Sequence, residues 1–107
     1  MSEFYIKSIN PSIFTRRGAN GLEQMVQVTI SSFKGRSNVE LTADYDGAVI
    51  GKERINLNIG DNIIDFFIEE SPVPRKIIFT LFYKGFQAGY HEADVPPPKR
   101  CFQEQAK

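Results

Sequence analysis

Apolar and polar residues alternate along most of this chain. At residues 39–45, Val, Leu, Ala and Tyr occupy one parity while Glu, Thr and Asp occupy the other. Residues 22–30, 55–59 and 77–83 show the same period of two. Successive side chains of a strand point to opposite faces, so this period predicts β-strands with one buried face each.

Turn-forming residues separate these runs. Asp46-Gly47 follows residues 39–45, and residues 60–62 divide the run at 55–59 from the run at 64–68. Asp-Gly favours a tight hairpin, because glycine adopts a positive φ without a Cβ clash. Turn signals that recur about every 8–12 residues are typical of a sandwich or small barrel. We therefore predict an all-β chain, an immunoglobulin-like β-sandwich of about seven antiparallel strands in two sheets.

Several local features refine this prediction. Asn10-Pro11 is expected to end or bend the first strand, since proline lacks an N–H, and residues 12–14 are expected to resume it as an edge strand. Residues 16–21 are polar and carry two glycines, which predicts a loop. Gly51 suggests a bulge or bend. Residues 63–68 are apolar on both faces except at Asp65, which favours a mid-sheet position or contact with a neighbouring domain.

The inward parity of each strand defines an expected core. Its members are Ile6, Val26, Val28, Ile30, Leu41, Ile55, Leu57, Ile59, Ile64, Phe66, Ile77, Phe79 and Leu81. The 107 residues suffice for one domain. Three consecutive prolines at 96–98 stop sheet pairing, so we expect a sandwich over residues 1–95 and a proline-rich exit linker with a polar tail over 96–107.

Charge and cysteine content narrow the expected partners. Thirteen basic residues balance thirteen acidic ones, which predicts no nucleic-acid or membrane partner. The pairs Arg16-Arg17, Arg75-Lys76 and Lys99-Arg100 are expected to be solvated surface charges. Cys101 is a lone cysteine in the polar tail, where we expect an incidental thiol.

The compartment stays open at this stage. The N-terminal residues do not resemble a signal peptide. A periplasmic or extracellular location is expected if such a peptide was removed, and a cytoplasmic one otherwise.

Candidate metal sites are weak in this sequence. His91 lies near Glu92 and Asp94, but neighbours on a strand face opposite ways, and we expect a surface histidine on an edge strand. Oxygen ligands for calcium occur at turns that could meet at one end of a sandwich, although Asp and Asn are also ordinary turn formers. These residues are Asp44, Asp46, Asn58, Asp61 and Asn62.

Catalytic and sugar-binding candidates are equally weak. Asp65 and Glu69 share a strand face, yet that strand is otherwise apolar, so paired acid chemistry is not expected. Tyr45, Tyr83 and Tyr90 share parity with apolar neighbours, which favours core or rim positions over a sugar-stacking platform. We predict a non-catalytic chain with no catalytic, cofactor-binding or metal-binding residue and no cofactor.

Five segments together resemble the immunoglobulin-like, adhesion-type modules found beside bacterial catalytic domains. They are Val39-Glu-Leu-Thr-Ala, Asp46-Gly47, Ile55-Asn-Leu-Asn-Ile-Gly60, Ile64-Asp-Phe-Phe-Ile68 and Ile77-Ile-Phe-Thr-Leu81. The segment Ala93-Asp-Val-Pro-Pro-Pro-Lys-Arg100 also resembles the linker from the N-terminal β-sandwich into the catalytic barrel of α-mannosidase-like bacterial glycoside hydrolases. The His/Asp motif that would follow in that family does not occur at residues 101–107, so no site residue is carried over.

This resemblance implies an accessory or spacer module of a carbohydrate-active enzyme, packed on a catalytic domain of the same polypeptide or on a protein partner. The alternative is a stand-alone binding or adhesion-type protein that acts through protein contacts, including an exposed edge strand or a weak homodimer. A further alternative is weak carbohydrate binding through Tyr90 and its neighbours.

Overall fold

Seven strands make up the fold in the computed structural model, which describes residues 3–19 and 21–98. They form two antiparallel sheets, so the predicted β-sandwich is confirmed. In chain order the strands are β1 (Phe4–Gly18), β2 (Gly21–Ser32), β3 (Arg36–Tyr45), β4 (Ala48–Leu57), β5 (Gly60–Glu69), β6 (Arg75–Tyr83) and β7 (Phe86–Val95).

The two sheets have the strand orders β1-β2-β5 and β4-β3-β6-β7. The fourth strand therefore pairs with the third, whereas a constant-type immunoglobulin domain pairs it with the fifth. Edges of opposite sheets approach each other on both sides, β1 near β7 and β4 near β5. The molecule is elongated along the strands, with extents of 52 × 27 × 24 Å.

Strand β1 is longer than the sequence predicts. It continues through Pro11 to Gly18, so the expected loop at residues 16–21 is wrong at both of its ends. Proline fits here because β1 is an edge strand, where a missing N–H removes no ladder bond from the centre of the sheet. The expected bend is present as a register shift between Pro11 and Thr15, which leaves residues 12–14 unpaired in the ladder.

The core lies between the sheets and confirms most of the expected set. Phe66 and Phe79 meet edge to face across the two sheets, with ring centroids 6.1 Å apart. Ile64 is only partly buried, and Ile59 was predicted wrongly because it is 77% exposed. Strand β4 ends at Leu57, so the alternation that placed Ile59 inside does not extend to it. The core also contains Phe4, Val39, Ala43, Ile68 and Val95.

Strand β5 lies at a sheet edge, which corrects the predicted mid-sheet position. Its outward side chains include exposed Ile63, so the apolar character of this strand does not reflect burial on both faces. Its neighbour across the sheets is β4, where the expected irregularity is present as a register shift beside Gly51. A Cβ at Gly51 would lie 2.7 Å from the carbonyl oxygen of Phe67, so only glycine permits this close approach.

Strand β7 ends at Val95, and Pro96 to Pro98 follow it, while the predicted division into a sandwich and an exit linker stays a prediction. The prediction of a polar tail concerns residues 99–107, which lie outside the described residues, as do Cys101 and the pair Lys99-Arg100. Within residues 3–19 and 21–98, no helix has the length and apolarity that a membrane span requires.

Candidate functional site

The residues considered as weak metal-ligand candidates do not come together in one site. His91 is exposed on β7, an edge strand, as predicted, and its neighbour Glu92 pairs with a different position of β6. In the described part of the chain, no group of three or more His, Cys, Asp or Glu side chains is placed to hold a metal ion.

The suggested calcium cluster is divided between the two ends of the sandwich. Asp44 and Asp46 lie at the β3–β4 turn, whereas Asp61 and Asn62 lie at the start of β5, at the opposite end. Asn62 is buried, and its amide donates hydrogen bonds to the carbonyls of Ile30, Asn58 and Gly60 at 3.0–3.2 Å. Its side-chain oxygen accepts from the Asn58 N–H at 2.9 Å. Asn62 is therefore the residue that shapes the β4–β5 turn.

The tyrosines do not form one platform, and the two acids do not form a pair. Tyr45 and Tyr83 pack against the core as predicted, but Tyr90 is largely exposed on the outer face of the four-stranded sheet. Asp65 accepts a hydrogen bond from the Gln27 amide at 3.2 Å. Glu69 lies four residues further along β5, so the two carboxylates do not face each other.

The basic pairs are not uniformly solvated. Arg16 lies 3.5 Å above the ring of Phe67 and donates from Nε to Glu23 at 2.8 Å. Arg75 contradicts the prediction, because only 6% of it is exposed. It has the inward parity of β6, a signal present in the alternating run that follows it. Burial lowers the pKa of the Arg75 guanidinium, while Tyr45 and Glu69 oppose that shift.

Two of the buried polar residues, Gln24 and Arg75, lie at the end of the sandwich from which residue 96 leaves, here called the exit end. Arg75 and Val95 form the last rung of the β6–β7 ladder there. Gln24, also buried, donates from Nε2 to the Ser12 carbonyl at 3.2 Å and to the Pro96 carbonyl at 3.0 Å. The amide thereby joins the irregular part of β1 to the first residue after β7.

Polar atoms at the exit end are incompletely satisfied. Arg75 Nε and Nη2, which form one edge of the guanidinium, have no hydrogen-bond partner among the described residues, and the same holds for Gln24 Oε1. A buried donor or acceptor without a partner costs roughly 1–3 kcal/mol. Unpartnered atoms of this kind lower the free energy of unfolding.

Apolar side chains are exposed around this same end. Ile13 and Phe14 belong to the irregular part of β1 that Gln24 holds beside Pro96, and they are 56% and 66% exposed. Val73 lies in the β5–β6 loop, just before the last β6–β7 rung, and is also exposed. We call Ile13, Phe14 and Val73 the exit patch.

The opposite end, which we call the tip, carries three other exposed apolar side chains at turns. Phe33 and Ile59 directly follow and precede the rung between Ser32 and Gly60, and Phe86 begins β7 after the β6–β7 turn. In the sequence, Phe33 and Phe86 stand at the ends of apolar runs. Their position next to Lys34-Gly35 and Lys84-Gly85 was the available signal, since a residue beside a turn has no facing sheet to cover it.

Charged residues connect the strands just beneath the tip. Arg36 donates from Nε and Nη2 to the two carboxylate oxygens of Glu3 at 2.7 and 2.8 Å. Lys34 Nζ lies 3.8 Å from the same carboxylate, and Lys84 Nζ lies 5.4 Å from the ring centre of Tyr83. The hydrogen bond from Arg36, followed by the charges of Arg36, Lys34 and Lys84, lowers the pKa of Glu3 despite some desolvation.

Comparisons with known proteins identify no relative. No family model matches the chain, and no match is found among curated proteins or among solved structures. The resemblance to accessory modules of α-mannosidase-like enzymes stays a prediction.

Proposed function

We propose that this chain is a non-catalytic β-sandwich module that packs against, or spaces, a neighbouring domain at its exit end. The observation that carries the proposal is the pair of hydrogen bonds from Gln24 to the Ser12 and Pro96 carbonyls. These bonds hold the start of the exit segment next to exposed Ile13 and Phe14. A segment that leaves a domain beside an apolar patch places whatever follows it against that patch.

The exit patch supports docking rather than free tethering. Ile13 and Phe14 are adjacent in the chain and both exposed, and neighbouring exposed apolar side chains mark interaction surfaces more often than isolated ones do. The host predicted from the sequence is a bacterial carbohydrate-active enzyme of the α-mannosidase-like type. That assignment rests on the resemblance of residues 93–100 alone, and it is part of the proposal.

The experiment starts from the native reading frame beyond the codon for Lys107. If the frame encodes a further domain, the two-domain protein is compared as wild type, as Ile13→Ser/Phe14→Ser and as the matched control Phe86→Ser at the tip. We expect the exit-patch variant to lose hydrogen-exchange protection near residues 12–14 and 73, while the control keeps it. Residues 1–107 alone should show no such difference between the variants.

Equal protection in all three proteins would overturn docking at the exit patch. A stop codon after Lys107 would overturn the accessory role itself. A following domain without clustered His and Asp residues would overturn the α-mannosidase-like host.

The second candidate is a stand-alone binding or adhesion-type protein. The tip favours it, because Phe33 is 65% exposed while Ile59 and Phe86 are each 77% exposed, and all three lie at the opposite end of the strands from the exit end. A surface so far from the exit segment is free for a separate protein.

A further inference from the structure

The zero net charge of this chain conceals two regions of opposite charge. At the tip, the cations Lys34, Arg36 and Lys84 surround the single carboxylate of Glu3, which leaves a local charge of +2. The nearby pair of Lys7 and Asp61 is neutral, with Nζ and carboxylate 2.8 Å apart. The tip thus combines exposed apolar side chains with excess positive charge.

A groove near the opposite end has the complementary character. It has a volume of about 540 Å³ and runs where the edges of β4 and β5 approach each other. Among the side chains that line it, carboxylates outnumber cations by four to two, and the charge of Arg75 acts on one of these carboxylates, Glu69, from outside the groove. The charged residues that line it are Arg16, Lys52, Glu23, Glu53, Glu69 and Glu70.

Apolar side chains lie between these charges. Leu22, Val49, Ile50 and Phe67 line the groove, and Val49 and Leu22 are exposed. A cavity of about 150 Å³ accommodates a benzene ring, so the groove has room for an aromatic side chain of the tip. Gly51 lies among them, where a side chain would collide with the Phe67 carbonyl.

We propose that the tip of one copy docks in the groove of a second copy, head to tail. Phe86 or Phe33 packs on the exposed side chains of Leu22 and Val49 in the groove, while Lys34 and Lys84 meet Glu53 and Glu69 at the rim. The two surfaces differ, so the contact is heterologous, and each added copy leaves one free tip and one free groove. The product is an open chain of copies, and this inference does not depend on the proposed role of the exit end.

The primary test is sedimentation velocity of the wild-type chain over a concentration series at low and high salt. The weight-average sedimentation coefficient should rise with concentration beyond the value of a dimer. Salt should reduce this rise, because exposed opposite charges are screened.

Charge reversal then assigns the two surfaces. Lys34→Glu/Lys84→Glu reverses the tip, and Glu53→Lys/Glu69→Lys reverses the groove. Each variant alone should lose the concentration-dependent rise, and an equimolar mixture should regain it, since reversed tips fit reversed grooves. The control for substitution elsewhere on the surface is Lys76→Glu/Glu92→Lys on the outer face of the four-stranded sheet, which keeps the net charge at zero and should associate like the wild type.

Circular dichroism melts of every variant confirm that the fold is retained before association is compared. A wild-type chain that stays monomeric at all concentrations in low salt overturns the proposal. So does growth that stops at a dimer, or a dimer unaffected by groove reversal, as pairing of two edge strands would produce. Failure of the mixture to restore association overturns the assignment of these two surfaces to each other.

Discussion

The two ends of the sandwich differ in how completely their polar side chains are hydrogen-bonded. At the tip, buried Asn62 uses its amide and carbonyl in four hydrogen bonds, and Arg36 binds both oxygens of Glu3. At the exit end, buried Arg75 and Gln24 keep polar atoms without partners among the described residues. Apolar side chains are exposed at both ends. At the tip, the polar side chains named here are therefore hydrogen-bonded and apolar groups are exposed beside them. At the exit end, apolar groups are also exposed, but the hydrogen bonding of the buried polar side chains is incomplete.

The largest expected effect compares a phenylalanine of the core with one of the tip. It tests whether the contribution of a phenylalanine to stability depends on its burial. Phe79→Ala should destabilise the fold by about 3–5 kcal/mol, since the ring is fully buried against Phe66. Phe86→Ala at the tip should change stability by less than about 0.5 kcal/mol. Urea unfolding followed by circular dichroism measures both. Similar losses for the two variants would show that Phe86 packs into the fold and would remove it from the proposed contact surface.

The second prediction concerns the groove between β4 and β5, near the end of the sandwich opposite the tip. Gly51→Ala should cost about 1–3 kcal/mol, because the new methyl would lie 2.7 Å from the Phe67 carbonyl and 3.0 Å from the Phe66 ring. Gly89→Ala is the matched control, since nothing lies within 4 Å of its added Cβ. Thermal unfolding of both variants provides the measurement. An unchanged melting temperature for Gly51→Ala would mean that β4 and β5 separate easily and that the groove is not a fixed surface.

The third prediction concerns the incomplete exit end. Arg75→Met should stabilise the isolated chain by about 1 kcal/mol, since it removes a buried charge with unpartnered donors and keeps an unbranched apolar side chain that reaches about as far as the Arg75 Nε. Lys76→Met, at the exposed neighbouring position, should change stability by less than about 0.5 kcal/mol. Denaturant titration of residues 1–107 tests this. A loss of stability on Arg75→Met would show that the guanidinium is satisfied in solution.

The middle of the fold was predictable from alternation because paired rungs enforce the period of two. Val26, Leu41 and Phe79 are buried where their parity places them. Alternation fails where pairing stops, as at Ile59, which follows the last residue of β4. The position of a residue in an alternating run predicts which face it lies on, even when its side chain is charged. Arg75 was predicted to be exposed because of its charge, although its position in the run placed it on the inner face.

The alternation of apolar and polar residues does not predict the sheet order or the candidate surfaces. A hydrophobic pattern does not state which edge strands meet, so the position of β5 at an edge and its approach to Gly51 required the tertiary structure. The tip and the groove each draw charged residues from at least three strands or turns. Only their arrangement in space turns a balanced composition into two oppositely charged regions.

The smallest expected effect concerns the ion pair that completes the tip. The hydrogen bond from Arg36 and the nearby cations lower the pKa of Glu3 in the folded state from its usual value of 4.5. A lowered folded-state pKa means that this carboxylate stabilises the fold above the unfolded value and that the contribution disappears as the pH falls through the folded value. Glu3→Gln should therefore lower the melting temperature slightly at pH 7.

The same difference should shrink below pH 4.5 and vanish once the wild-type carboxyl is protonated in the folded state. Glu3 is partly exposed, so solvent and salt screen the pair and the shift should be small. Glu92→Gln, at an exposed position of β7, is the matched control and should melt like the wild type at neutral pH. A melting difference for Glu3→Gln that stays constant from pH 7 to strongly acid solution would mean that Glu3 acts through packing rather than charge. Of the two polar interactions that distinguish the tip from the exit end, only the hydrogen bonds of Asn62 would then remain.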